Sequence, residues 1–436
     1  MEARKVAVVG SGIAGLSAAW LMAKRSDVTL FEAEGRLGGH THTVDVTLDG
    51  MTAPVDTGFM VYNDRTYPTL TALFHHLGIT STPSEMSFSV SIEQDAVEWA
   101  GNSILALFAR RTNLVRPVFW IMLKEILRFN REAISSLSSG REPAGSLGEF
   151  LDRGRYGRAF RDWYLLPMAA AIWSCPTRQM MAYPAAPFLR FCHNHGLLQL
   201  NNRPQWRTVV GGAHKYVARM AAGIADVRLA TPVERVRRLP RGVVLSTSAG
   251  TEHFDQVVLA CHSDQALRML ADADDDEVNV LGRVRYQANR IVIHTDQTFL
   301  PHAREAWASW NYSSGRGEPA MRPVSVSYWL NALQPLPFHT PVIETLNPFR
   351  EPRSSSVLAR MDYSHPIFDG PALRAQEALP AIQGRRRTWF CGAWTSYGFH
   401  EDGLRSGLAV ANALGARAPW QAQEDRQEDN KAEAAA

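Results

Sequence analysis

One turn constrains this chain more than any other feature. Gly10-Ser11-Gly12-Ile13-Ala14-Gly15 follows the β-rich run Lys5–Val9 and opens a stretch with apolar residues at Ile13, Leu16, Ala19, Trp20 and Ala23, a helical period. A second apolar run, Val28–Phe31, ends in Glu32, 22 residues after Gly10. Strand, glycine turn, helix, strand and acid together are the parts of a dinucleotide site. Gly10 permits the tight turn, Gly12 lets backbone approach a pyrophosphate, and Gly15 lets the helix lie on the strand. The helix N-terminus stabilises the anion. Glu32 can accept from both ribose hydroxyls and would repel a 2′-phosphate.

A second glycine cluster, Gly35-Arg36-Leu37-Gly38-Gly39-His40, follows at once. It lets the chain pass close under a long, extended cofactor, which an NAD domain does not need. Far along the chain, Phe390-Cys391-Gly392-Ala393 and Glu401-Asp402-Gly403-Leu404 read as strand, loop and helix start. Such a start presents backbone N–H groups and a positive dipole end to a ligand, suited to the N1/O2 edge of a flavin. These pieces favour FAD over NAD.

The rest of the composition excludes several classes. Apolar residues are 45% and charged residues 20% of 436, a globular balance with enough length for a large core. Lys+Arg 46 against Asp+Glu 43 leaves +3, too small to suggest a nucleic-acid partner. Cys175, Cys192, Cys261 and Cys391 form no CxxC pair, so no metal is expected and the thiols suit a reducing compartment. The start MEARKVAVVG runs straight into a strand, so no signal peptide is expected. Cys391, beside the distal flavin motif, reads as a packing thiol rather than a redox one.

The runs VAVVGSGIAGLSAAW, LFEAEGRLGGHTHT and VDTGFMVYN at one end, with FCGAWTSYGFHEDGLRSGLAVANAL at the other, resemble the flavin-containing amine oxidase superfamily. More narrowly, HTDQTFLP, NHGLL, RPQWRTVVGG and GFHEDGLRSG are similar to a bacterial branch of NAD/FAD-binding oxidoreductases associated with cyclopropane- and methyl-branched fatty-acid synthesis. The resemblance implies an α/β fold: a Rossmann-like FAD-binding domain of the amine-oxidase type with a mixed α+β substrate domain. It assigns residues 1–90, 205–285 and 385–415 to the first, and 91–204 and 286–384 to the second. Residues 416–436 read as a disordered tail. The implied FAD contacts are Gly10, Gly12, Ile13, Ala14, Gly15, Glu32, Glu34, Gly39, His40, Thr57, Gly58, Val233, Gly392, Asp402, Gly403 and Leu404. His40 stands where the superfamily carries an arginine, and Glu34 where it carries a base.

Many amine oxidases of this type keep a lysine near flavin N5. Here no lysine lies between Lys215 and Lys431, and the matching position falls near Gln287–Asn289. His400 and Glu401, just before the distal helix, are the candidate catalytic residues; His294, Asp296 and Asn311 are more distant candidates, and Trp394 and Tyr397 could flank the isoalloxazine. The leading expectation is an FAD-dependent oxidoreductase that oxidises, desaturates or isomerises a fatty-acyl chain, free or phospholipid-bound, by hydride transfer to flavin N5. One alternative is a soluble oxidase of a small amine or amino acid, marked by an aromatic cage with a carboxylate. Another is a non-catalytic flavin subunit of a lipid-modifying complex. Residues 103–136 add a candidate interfacial segment. Up to Arg131 it holds the bases Arg110, Arg111, Arg116, Lys124, Arg128 and Arg131 against Glu125, with apolar residues and Trp120 between them. That suits a cytoplasmic protein, peripheral on an anionic membrane surface at the inner face of the cell membrane.

Overall fold

The computed structural model describes residues 4–199, 201, 203–314 and 325–421. The apolar runs on either side of the glycine turn become adjacent strands. Lys5–Val9 lies between Asp27–Phe31 and Gln256–Leu259, and Asp226–Arg228 and Thr388–Phe390 close the edges. All four pairings are parallel, so this sheet gathers strands from three separate parts of the chain. Its central strands are buried apolar runs, as expected of a parallel sheet covered on both faces, while the edge strand Asp226–Arg228 is half-buried.

Helix Ile13–Met22 covers one face and is buried all round, because helix His400–Ala413 crosses it. That crossing depends on Gly407, and the seating of helix Ile13–Met22 against the turn depends on Gly15. A methyl at Gly407 would run into the Ala14 carbonyl oxygen, and one at Gly15 into the Gly10 carbonyl oxygen. Both positions need a bare backbone for elements to approach.

The second body is a seven-stranded mixed sheet, in the order Val357–Ile367, Arg285–His294, Ile343–Leu346, Ser325–Trp329, Trp310–Ser314, Phe88–Ile92, Val97–Ala100. Helices between residues 117 and 194 pack with it into one apolar core that includes Phe119, Phe129, Phe160, Trp173 and Phe188. The strand Phe88–Ile92 belongs to this sheet, so the first segment leaves the nucleotide-binding body before residue 90. Ala372, Ala375, Leu379 and Ile382 join the core around the parallel sheet, although they precede residue 385. The expected tail also starts late. Ala416 and Ala418 are buried and Trp420 stacks on Trp20 with ring centroids 6.4 Å apart, which anchors 416–421; the remainder, 422–436, lies outside the described residues.

Gly407→Ala should cost about 2–3 kcal/mol, the scale of overpacking a tight core. Thermal unfolding of purified protein measures it. A variant melting with wild type would mean that the two helices can part without loss.

Candidate functional site

A cavity of about 870 Å³ runs from the glycine turn to the seven-stranded sheet. At its nucleotide end, Glu32 closes the second strand. Its carboxylate accepts from the Ser11 amide at 2.8 Å and hydroxyl at 2.5 Å, and from the Glu34 amide at 2.9 Å. The acid therefore shapes the glycine turn. Gly10, Gly12, Ile13, Ala14, Glu34, Gly39, His40, Thr57, Gly58, Val233 and Gly392 line the same cavity.

Four expected contacts do not line it. Gly15 and Gly403 are packing glycines; a methyl at Gly403 would strike Ile13. Leu404 is core. Asp402 accepts from the Phe399 amide at 3.0 Å and so holds the start of helix 400–413. The cation that His40 does not supply is at Arg36, which sequence reading passed over: it lines the cavity, donates to the Gly39 carbonyl at 2.8 Å and pairs with Glu34 at 3.0 Å.

His40 is half-buried beside Tyr363 (4.9 Å) and His365 (5.2 Å), and its Nε2 is sealed with no partner among the described residues. Burial and the neighbouring imidazoles push its pKa well down; burial does the same to His365, to about 4. An uncharged ring with an orphaned polar atom facing a cavity fits a bound group that offers a hydrogen bond. Extended shape, glycine approach, ribose acid and orphaned nitrogen all fit FAD.

The two expected catalytic residues part company. His400 lines the cavity; its ring stacks on Phe59 at 3.8 Å and its Nε2 meets the Tyr216 hydroxyl at 2.7 Å and Thr41 Oγ1 at 3.2 Å. Burial pushes its pKa down to about 3, so the imidazole is neutral and held in one pose. Glu401 is corrected in role. Its two oxygens accept from the Thr69 and Leu70 amides, both at 2.9 Å, and so cap helix Pro68–Leu77.

Strand register sorts the remaining candidates. Ile293 pairs with Glu344, Glu344 with Tyr328, and Tyr328 with Trp310, so these side chains share one face. Glu344, Tyr328 and Trp310 line the cavity. His294, Thr345, Ser327, Asn311 and Ser89 occupy the other face and hydrogen-bond to one another: His294 to Thr345 at 2.8 Å, Ser327 to Thr345 at 2.8 Å, Ser89 to Asn311 at 2.7 Å. Asp296, held near pKa 2 by hydrogen bonds that outweigh its desolvation, anchors the turn at Thr298. None of His294, Asp296 and Asn311 lines the cavity. Asn289, near the position of the absent lysine, donates to His365 at 2.9 Å. Trp394 and Tyr397 both line the cavity, and Cys391 is fully buried with its pKa raised, an inert thiol.

Glu344 was invisible in the sequence. It is 2% exposed, one of its oxygens has no partner, and burial alone raises its pKa well above the usual glutamate range. Burial therefore favours its protonated form. Ile291, Leu346, Trp310, Tyr328 and Tyr363 share its face of the sheet and line the cavity, which Ile172 and Trp173 of the helical insert also line.

Comparison with known proteins adds the context. The sequence model of flavin containing amine oxidoreductases matches residues 13–338. A carotenoid phi-ring synthase of Streptomyces griseus is 29% identical over 325 residues, 69% of this chain; the chain spans 59% of that relative's length. The structure of a CLA-producing fatty acid isomerase from P. acnes superposes with TM-score 0.65 at 16% identity, covering 94% of this chain and 99% of the other. A putrescine oxidase bound to putrescine does so with TM-score 0.65 at 15% identity, covering 95% and 99%. At these identities the two structural likenesses are of fold.

Two outcomes are expected. A methyl at Gly12 meets no protein atom within 4 Å, so Gly12→Ala should melt like wild-type apoprotein yet retain FAD at least about tenfold less well, a loss of ~1.4 kcal/mol. Full flavin absorbance in that variant would place the cofactor elsewhere. Glu344 binds its proton more tightly folded than unfolded, where the ordinary value is 4.5. Unfolding therefore releases a proton, and wild-type stability should fall as pH rises above that value. Glu344→Gln removes the effect. Its melting temperature should exceed that of wild type increasingly from pH 5 to pH 8; a constant difference would mean that Glu344 is ionised in the fold.

Proposed function

As a member of the flavin-containing amine oxidoreductase family the chain is an FAD-dependent oxidoreductase, and we propose that its substrate is a fatty-acyl chain, free or carried on a phospholipid, which it oxidises, desaturates or isomerises. One feature carries this reading: among the described residues the wall around Glu344 is aliphatic and aromatic, no cation pairs with the acid, and burial favours its protonated form. An alkyl chain satisfies walls of Ile172, Trp173, Ile291 and Leu346 without asking for a counter-ion. Bound FAD supplies a reversible two-electron acceptor, which serves all three reactions.

The chain's own residues supply the rest. Glu344 can give a proton to a carbon centre or hold a carbonyl oxygen by a hydrogen bond, work that requires the neutral form. His400, uncharged and locked by Tyr216 and Thr41, can present one ring nitrogen without placing a charge beside the ring system. Two named relatives, a fatty acid isomerase and a carotenoid ring synthase, act by their names on long apolar molecules and support the class. A long acyl chain resides in a bilayer, so the reading includes work as a peripheral protein at the inner face of the cell membrane. Among the described residues no helix is long and apolar enough to cross one.

The same residue favours a second reading. Trp310, Tyr328 and Tyr363 stand with Glu344 around one end of the cavity, and a bound ammonium group would draw the proton from the acid. That arrangement would suit a small amine.

Anaerobic mixing separates the two. Acyl lipids should bleach the oxidised flavin absorbance or undergo a shift in double-bond position, and simple amines should do neither. Glu344→Gln should slow the lipid reaction by ~10²–10⁴, the share of a positioned acid. Rapid bleaching by a primary amine, with lipids inert, would overturn the acyl assignment.

A further inference from the structure

Thirteen large apolar side chains stand exposed among the described residues, and eight of them lie between Ile104 and Leu127. Val115 is 81% exposed, Ile104 78% and Leu105 77%. Three consecutive pieces present them: the helical turn Ile104–Leu107, the 3-10 turn Arg111–Val115, and the first half of helix Pro117–Ser138, which Pro117 opens.

The ledge is held from beneath. Ser103 Oγ caps the first turn by accepting from the Ala106 amide at 3.0 Å. Buried Asn113 donates to the Glu98 carbonyl at 3.0 Å. Trp120 donates its indole N–H to the Leu114 carbonyl at 3.0 Å, which leaves its ring half exposed beside Phe108. Phe119 and Met122 are buried underneath. The exposed apolar atoms therefore sit on an ordered scaffold and are not the tips of a loose loop.

The structure also divides the six bases of this stretch. Arg116 donates to the Ala96 and Asp95 carbonyls, both at 3.1 Å, and its guanidinium lies over Trp163. Arg128 donates to the Gly154 carbonyl at 2.8 Å, lies over Tyr156 and pairs with Glu125 and Glu132. These two are internal struts, which corrects the grouping of Arg116 with the surface bases. Arg110, Arg111, Lys124 and Arg131 are exposed and enter no ion pair among the described residues. The acids nearby are engaged internally: Glu125 accepts from the Gly157 amide and Glu132 from the Tyr156 hydroxyl.

We propose that residues 104–127, with Arg131, form the surface by which this protein docks on an anionic lipid bilayer. Exposed apolar side chains are stabilised on entering the headgroup boundary, and four unpaired bases, which outnumber the two acids held by Arg128, Gly157 and Tyr156, suit lipid phosphates. A tryptophan at the rim, its N–H already bonded, suits the same interface. A second copy of the chain is a poor occupant, because a two-fold contact would bring the four bases of one copy against those of the other. The inference rests on exposure and charge, not on the acyl-substrate reading, so either can fail alone.

The test is co-sedimentation of the full-length holoprotein, without substrate, with vesicles of phosphatidylcholine alone or of equal parts phosphatidylcholine and phosphatidylglycerol. Wild type should pellet with the mixed vesicles at low salt and be released by high salt. Arg110→Gln, Arg111→Gln and Lys124→Gln together should weaken that binding on the order of a hundredfold. Ile104→Ser, Leu105→Ser and Val115→Ser together should weaken it at low and high salt alike, since apolar insertion is not screened. Both sets alter exposed side chains and should melt with wild type. Arg116→Gln instead should lower the melting temperature. Three results would overturn the proposal: wild type left in the supernatant with anionic vesicles, equal binding to both vesicle types that neither triple variant reduces, or a lipid-free oligomer that the serine variant converts to monomer.

Discussion

Glu32 and Ser11 hold each other, and the nucleotide-binding half is arranged around that contact. The carboxylate at the end of the second strand takes both the amide and the hydroxyl of Ser11, so the glycine turn cannot drift from the sheet. Other segments attach to the same point. The Gly10 amide donates to Phe31, the Gly38 amide to the Ser11 carbonyl, and the Thr231 amide to the Glu32 carbonyl. A dinucleotide laid across this turn meets donors whose positions are set before it arrives, which lowers the ordering cost of binding. The bare backbone of Gly15 then seats the helix that opens at the turn against Gly10 and Ala260, and that of Gly407 allows the helix that begins at His400 to cross it. One end of the chain and the other thus reach one cavity.

The legible parts were those whose physics is local. A strand, a glycine turn, a helix and an acid state their geometry within a few dozen residues, and each is where its spacing put it. Glu401 misled because a carboxylate before a flavin-side helix looks available, and only the fold brings the Thr69 and Leu70 amides to it. Glu344 escaped notice for the opposite reason. In sequence it is one acid in a short apolar strand, and nothing local distinguishes a carboxylate that faces solvent from one sealed beside Tyr328. Arg116 and Arg128 belong with it: their carbonyl partners come from other segments, so basic spacing alone could not separate strut from surface.

Strand parity explains why the buried polar groups of the seven-stranded sheet divide into two kinds. On one face His294, Thr345, Ser327 and Asn311 satisfy one another, which is what stability asks of buried polar atoms. On the other face Glu344 sits with an unpartnered oxygen in the cavity wall. A fold retains an unsatisfied acid at a cost in stability, and such groups concentrate where chemistry needs them. His400 and His365 continue the pattern: burial keeps both imidazoles uncharged in the cavity wall.

The acyl reading requires Glu344 to keep its proton within a wall of aliphatic and aromatic side chains. Infrared difference spectroscopy of the wild-type holoprotein against Glu344→Gln at neutral pH reads that directly. Wild type should show the carbonyl stretch of one protonated carboxylic acid, lost in the variant. A difference spectrum carrying only the bands of an ionised carboxylate would contradict it and give the cavity to a cation.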